Sequence, residues 1–243
     1  FTMTLGLATS TMALATGPTA RIAAERLDRG AVALPTQGGG MLITWRLLAD
    51  DPATIRFRLL RDGKPIHDSR VGEATAFVDR KGSATSRYAV QPIGDKSAPS
   101  PAMMWDKSYL SIPLTPPADG VTPAGESFSY TANDASAADL DGDGRYEIIL
   151  KWDPTNSHDN SQAGYSGPVL LDAYRLDGTR LWRIDLGRNI RAGAHYTQFL
   201  AFDFDGDGRA EVAMKTADGT VDGIGTVIGD AKADWRGHDG EVP

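Results

Sequence analysis

Two stretches of this 243-residue chain place carboxylates at every second position. Asp139, Asp141 and Asp143 form the first, with Gly142 and Gly144 interleaved. Asp203, Asp205 and Asp207 form the second, with Gly206 and Gly208. Each run continues to an arginine and an acid, Arg145 and Glu147 in the first, Arg209 and Glu211 in the second. Three like charges this close repel one another unless a cation offsets them. Hard oxygen donors at this spacing, with a backbone carbonyl near Arg145 or Arg209, suit the roughly six to eight oxygen ligands of Ca²⁺. Mg²⁺ fits less well, because it keeps more of its water. An EF-hand would carry an acid at its twelfth position, which here is Leu150 or Met214. Neither can ligate. The acid stands ninth instead, and apolar residues follow it, so a strand leaves each loop. Two unrelated acidic surface turns would have no reason to repeat the whole pattern.

Other polar groups lie close by. Asn133 and Asp134 precede the first loop, and Lys151, Trp152, Asp153, Pro154, Thr155, Asn156 and Ser157 follow the strand leaving it. If both ends of that segment face one surface, Asn133 and Asp153 could hydrogen-bond sugar hydroxyls and Trp152 could stack on a pyranose face. Asn133 and Asp153 serve equally well as turn caps, and spacing does not choose between the two readings. His195 precedes the second loop; a lone histidine is more often a hydrogen-bonding partner than a catalyst. Lys215 repeats the position of Lys151. Such lysines are usually solvated, although beside an anionic sugar they could bind it. No G-x-S-x-G elbow, P-loop or H-E-x-x-H motif occurs. A two-carboxylate hydrolase stays open, although calcium accounts for most of these acids.

The loops sit in a repeat. Residues 137–151 match 201–215, with an offset of 64 from Asp139 to Asp203. Between the copies, Pro168 to Leu176 and Thr179 to Leu186 flank Asp177-Gly178, which predicts a hairpin. Repeated small sheets suggest propeller blades. Two copies fall short of the roughly 4–8 blades a propeller needs, so a longer chain is expected. Upstream, short strands are predicted at Ala31–Leu34, Met41–Trp45, Thr54–Leu60, Ala76–Asp79 and Arg87–Val90, as in a β-sandwich. Their order resembles fibronectin type III-like modules, and nothing there gathers into a catalytic set. Seven of the fourteen prolines fall between residues 92 and 125, which predicts a linker or wrapping loop. The expected fold is all-β: a fibronectin type III-like β-sandwich over 21–105, then the first blades of a calcium-binding β-propeller over 106–243, truncated.

Composition sets outer limits. With 41% hydrophobic and 23% charged residues the chain has a globular balance, and its length can bury a sizeable core. It has no cysteine, which excludes disulfides, thiolate metal sites and a cysteine nucleophile. No apolar run after residue 20 approaches the ~18 residues of a spanning helix, so no membrane partner is expected. The net charge of −7 is uneven: residues 1–118 hold 10 acids and 14 bases, residues 119–243 hold 22 and 11. This acidity argues against nucleic acid as a partner. Eight of those 22 acids lie in the two loops, so two bound Ca²⁺ would bring the chain from −7 to −3. The acidity is therefore largely metal-binding capacity. The chain begins at Phe1, and the small apolar run from Leu5 to Ala15 ends in Ala13-Leu14-Ala15. Residues 1–20 are expected to be the remnant of a secretory signal peptide, making the protein secreted. Bound metal can stabilise an exported domain in place of disulfides.

Four runs carry a family resemblance: Gly125 to Ser136, Lys151-Trp152-Asp153-Pro154, Asn189 to Phe199 and Ala213 to Thr220. With Leu27-Asp28-Arg29-Gly30 and Trp45-Arg46, they resemble the N-terminal part of secreted bacterial rhamnogalacturonan lyases of the eight-bladed propeller type. The resemblance covers residues 21–243. It implies β-elimination at the rhamnose–galacturonate bonds of rhamnogalacturonan I, by a monomer holding several Ca²⁺. Asn133 and Asp153 match substrate-contacting positions of the family. Calcium ions and basic residues over the propeller centre are implied to neutralise the uronate carboxylate. The catalytic arginine and lysine are implied to lie in later blades, beyond Pro243, so these 243 residues alone are expected to be inactive. The exclusion of nucleic acid rests better on this resemblance than on charge. A non-enzymatic calcium propeller for carbohydrate binding or adhesion is the alternative; it explains the loops but not the Lys-Trp-Asp-Pro run.

Overall fold

Short alternating segments become strands when each has a second sheet to bury its apolar side against. The computed structural model describes residues 26–159, 161–193 and 196–236, and every helix or strand assigned among them is a strand. The expected signal segment, residues 1–20, lies outside the described residues.

The first eight strands are β1 (Val32–Pro35), β2 (Met41–Thr44), β3 (Phe57–Arg61), β4 (Lys64–Asp68), β5 (Ala76–Asp79), β6 (Tyr88–Pro92), β7 (Ser100–Pro101) and β8 (Met103–Met104). They form two four-stranded sheets, ordered β5-β2-β1-β8 and β4-β3-β6-β7. Ala33, Met41 and Ile43 of one sheet share a core with Phe57, Leu59, Tyr88 and Val90 of the other. Arg61 to Lys64 is the tip of a hairpin whose second strand is β4, which is not among the strands expected from sequence. Asp62 and Gly63 take left-handed φ of 51° and 76° there. The edge strand β4 carries Lys64 and Asp68, and this polarity hides its period. Part of the proline-rich stretch also pairs, as the two-residue strands β7 and β8. Both lie at sheet edges, where a proline lacking its N–H is tolerated.

β9 (Gly120–Val121) and β10 (Ser127–Phe128) pair with each other. Next come β11 (Tyr130–Ala138), β12 (Glu147–Pro154), β13 (Leu170–Tyr174), β14 (Arg180–Asp185), β15 (Phe199–Phe202), β16 (Glu211–Met214), β17 (Thr220–Val221) and β18 (Val227–Ile228). A six-stranded sheet runs β11-β12-β13-β14-β17-β18, and β15 pairs with β16 alone. The expected hairpin around Asp177-Gly178 is β13–β14.

Both faces of β12 are packed. Ile149 joins Val169, Leu171, Leu186 and Ile190 in one core, against which Phe199, Ala201, Val212 and Met214 of the β15–β16 hairpin pack. Leu150 and Trp152 point the other way, into a core with Leu170 and Tyr174. Buried Asp172 accepts hydrogen bonds from Trp152 Nε1 (2.8 Å), the Tyr174 hydroxyl (2.6 Å) and Arg183 (two of 2.6 Å). A carboxylate can be buried only with such partners. Arg183 also donates to the Thr115 carbonyl at 2.9 Å, tying the segment before β9 to this sheet.

Candidate functional site

Each acidic loop connects two paired strands, β11 to β12 and β15 to β16. Side chains inside the turn close it. Buried Asp139 accepts the backbone N–H groups of Gly142 (2.8 Å), Asp143 (3.1 Å) and Gly144 (2.8 Å). Gly142 and Gly144 can aim those groups inward because their φ values, 78° and 87°, lie in the left-handed region. Glu147, at the start of β12, accepts the Leu140 N–H at 2.9 Å. The second loop repeats this. Asp203 accepts from Gly206 (2.7 Å) and Gly208 (3.0 Å), and Glu211 accepts from Phe204 (2.8 Å).

The result is two clusters of acceptors. Oxygens of Asp139, Asp141 and Glu147 lie within 4.8 Å of one another, as do those of Asp203, Asp205 and Glu211. Asp141 Oδ1 is buried without a hydrogen-bond partner. Burial pushes the Glu147 carboxyl above its usual range, and the neighbouring charges of Asp141, Asp143 and Asp139 add to this, against one opposing backbone N–H from Leu140. Convergent hard acceptors, one of them orphaned, fit a cation bound through oxygen. Asp143 and Asp207 stand outside these clusters. Arg145 takes Asp143 through Nε and Nη2 at 3.0 and 2.6 Å, holding its carboxyl below the usual range. Asp207 instead accepts the Arg209 N–H at 2.8 Å. The Arg209 side chain runs over Gly142, and the Asp139 carbonyl accepts the Ala210 N–H at 2.7 Å, so the two loops abut.

Asn133 and Asp153 stand on the neighbouring strands β11 and β12, toward the other end of that pair. Asp153 pairs in register with Thr131, two residues before Asn133. Asn133 is exposed, and Asp153 Oδ1 is buried without a partner. Lys151 lies on the same side of β12, since alternate residues share a face. Trp152 therefore faces the opposite way. It is 3% exposed with its indole N–H held by Asp172, which overturns the expectation that it stacks on a sugar. Lys151, expected to be solvated, is buried and paired with Asp134 at 2.7 Å, whereas Lys215 is exposed over the Tyr196 ring. His195 lies outside the described residues.

Residues 109–243 match the family described as rhamnogalacturonan lyase family 11, C-terminal domain, and residues 22–104 match the rhamnogalacturonan I lyases beta-sheet domain. The chain belongs to rhamnogalacturonan lyase family 11. It is 56% identical over 221 residues to rhamnogalacturonan endolyase YesW of Bacillus subtilis, covering 90% of this chain and 35% of that protein. It is 53% identical over 221 residues to rhamnogalacturonan exolyase YesX of the same organism, covering 90% and 36%. Crystal structures of YesX and YesW superpose with TM-scores of 0.84 and 0.83, across 90% of this chain and 37% and 38% of theirs. The Bacillus licheniformis rhamnogalacturonan lyase PL11 superposes at 0.83 with 55% identity, over 90% of this chain and 38% of that one. The chain thus spans about a third of the length of the curated relatives it matches.

One participant at the first acidic loop is invisible in the repeat pattern. Ile148 pairs with Tyr174, so Arg175 falls beside Glu147, and its Nη2 reaches Asp141 Oδ2 at 2.6 Å. Arg175 lies 34 residues from Asp141 in sequence, and no motif links them. Only the β12–β13 register brings it there.

Proposed function

We propose that this chain is part of a rhamnogalacturonan lyase that cleaves rhamnose–galacturonate bonds of the rhamnogalacturonan I backbone by β-elimination. The observation carrying this reading is identity of 56% and 53%, over 90% of the chain, to an endolyase and an exolyase. In such a reaction a proton leaves C5 of the uronate and the rhamnosyl oxygen leaves C4, giving an unsaturated end. Half-buried Asp153 would offer its carboxylate to a sugar hydroxyl, and exposed Asn133 an amide from the neighbouring strand; both groups can orient a chain at the mouth of a cleft. Calcium is the cation proposed for the two acidic loops. Asp139, Asp141 and Glu147 would hold one ion and Asp203, Asp205 and Glu211 another, with Asp143, Asp207 and the Arg145 and Arg209 carbonyls proposed as further donors. Bound there, the ions would supply positive charge and hold the turns.

The proposed organisation is a sandwich over residues 21–105, followed by the opening blades of a propeller over 106–243. A six-stranded sheet packed on both faces, with a second hairpin against one of them, supports that reading. Secretion as a monomer completes the proposal. Because the chain matches about a third of its relatives, these residues alone are expected to show no lyase activity. The test is product analysis on rhamnogalacturonan I with the full-length protein. Unsaturated uronate ends support the lyase. Saturated reducing ends would make it a hydrolase, and binding without cleavage would leave a non-enzymatic carbohydrate-binding propeller.

A further inference from the structure

The β11–β12 register breaks in one place. Ala132 pairs with Trp152 and Ala135 with Leu150, so Asn133 and Asp134 together oppose the single residue Lys151. An irregularity of this kind bends its strand and re-aims its side chains. What holds it is an ion pair with unequal ends. The Lys151 side chain is 4% exposed, the Asp134 side chain 68%, and they meet at 2.7 Å. A lysine buried without a carboxylate would be strongly unfavourable in its charged form. The buried ammonium therefore anchors an aspartate that would otherwise be free to turn into solvent. Its neighbour is bound into the same arrangement, because Asn133 Oδ1 accepts the Asp134 backbone N–H at 2.8 Å. Two residues further along β12, on the face Lys151 occupies, stands the unpartnered Asp153 oxygen.

We propose that Lys151 is a positioning residue: its ion pair with Asp134 locks the bulge that presents the Asn133 amide beside Asp153. This rests on the reading of Asn133 and Asp153 as saccharide contacts. Direct contact between Lys151 and a uronate carboxylate is disfavoured, since its ammonium is buried and already occupied. Bulk packing does not account for it either, because an apolar side chain of similar length fills a buried site without any desolvation cost. Lys215, at the same place in the second repeat, is exposed and has no comparable clasp among the described residues, so burial is not a general property of that position.

The test uses the full-length protein on rhamnogalacturonan I, with melting curves for every variant. Lys151→Met and Asp134→Ala are expected to raise KM roughly tenfold, the effect of losing one charge-assisted hydrogen bond, with a smaller change in kcat. Lys151→Arg, which keeps the cation, should restore most of the affinity. Adding Asp134→Ala to Asn133→Ala should cost little beyond Asn133→Ala alone, a coupling that a purely structural role would not produce. Should either single variant fail to fold, the double variant Lys151→Met with Asp134→Asn, which leaves no buried charge unpaired, carries the test. If Asn133→Ala and Asp153→Ala raise KM while Asp134→Ala leaves it unchanged, the positioning role is overturned and the saccharide contacts stand. If Asn133→Ala and Asp153→Ala both leave KM unchanged, the contacts themselves are wrong and the proposal falls with them.

Discussion

The two acidic loops share a nine-residue pattern but not a setting. The first is enclosed. Gly144 and Glu147 are buried, the Gly144 carbonyl accepts the Asp28 N–H at 2.7 Å, and the Arg46 guanidinium lies 4.6 Å from the centre of the adjacent Tyr146 ring. Arg145 holds Asp143, and Arg175 holds Asp141. The second loop is open, with Asp205 and Asp207 exposed and Phe204 53% exposed beside them. No salt bridge to its carboxylates occurs among the described residues. One motif is thus neutralised by the protein in one place and left to solvent or a cation in the other. The motif specifies a turn with inward acceptors; its surroundings decide how strongly that turn depends on an ion.

The largest effects should come from the two buried aspartates. Asp139→Ala orphans three backbone N–H groups and Asp203→Ala two, at about 1–3 kcal/mol each, so Asp139→Ala should melt lower. Thermal unfolding in excess calcium compares them directly; equal losses would mean that the enclosure of the first loop adds nothing. Chelation comes next. Calcium at a hundredfold its dissociation constant contributes about 2.7 kcal/mol per site. Each kcal/mol shifts the melting temperature of a chain this size by about 2–4 °C. EDTA should therefore lower the melting temperature, and the loss should be greater in an Asp139→Asn background, which leaves the second loop to respond, than in Asp203→Asn. An unchanged curve would remove structural calcium from the reading.

Smaller effects separate the settings further. A methyl group at Gly144 would lie 3.1–3.2 Å from the backbone of Arg26 and Asp28, while at Gly208 it meets only the flexible Arg26 side chain at 3.9 Å. Both positions have positive φ, 87° and 95°, so each alanine costs about 1–2 kcal/mol. Gly144→Ala should cost a further ~1–3 kcal/mol for the clash, visible in urea unfolding. The smallest expected change is at Arg175. Its pair with Asp141 is partly exposed, so solvent screens most of the attraction. Arg175→Gln should raise calcium affinity at the first loop by up to about fivefold and leave the second unchanged, as read by calorimetric titration. A decrease would show that Arg175 props the site open instead of competing for it.

Much of this architecture is legible in the sequence, for definable reasons. Backbone turns are local, so the Asp/Gly spacing predicts both loops and the strands that follow them. Period-two burial places β2 and β5, and Asp177-Gly178 marks its hairpin. What stays hidden depends on partners far along the chain. β4 is polar because its outer edge meets solvent, and β7 and β8 are too short for any periodicity. Whether Trp152 or Lys151 faces outward depends on which sheet covers which side of β12.

By itself, the sequence determined the all-β class, the two acidic turns and the family resemblance, because these rest on residues close together in the chain. Only the tertiary structure decided which acids converge, that Arg175 stands against Asp141 and that Lys151 is buried under Asp134. Those depend on strand register, and register is set by cores whose members come from distant segments.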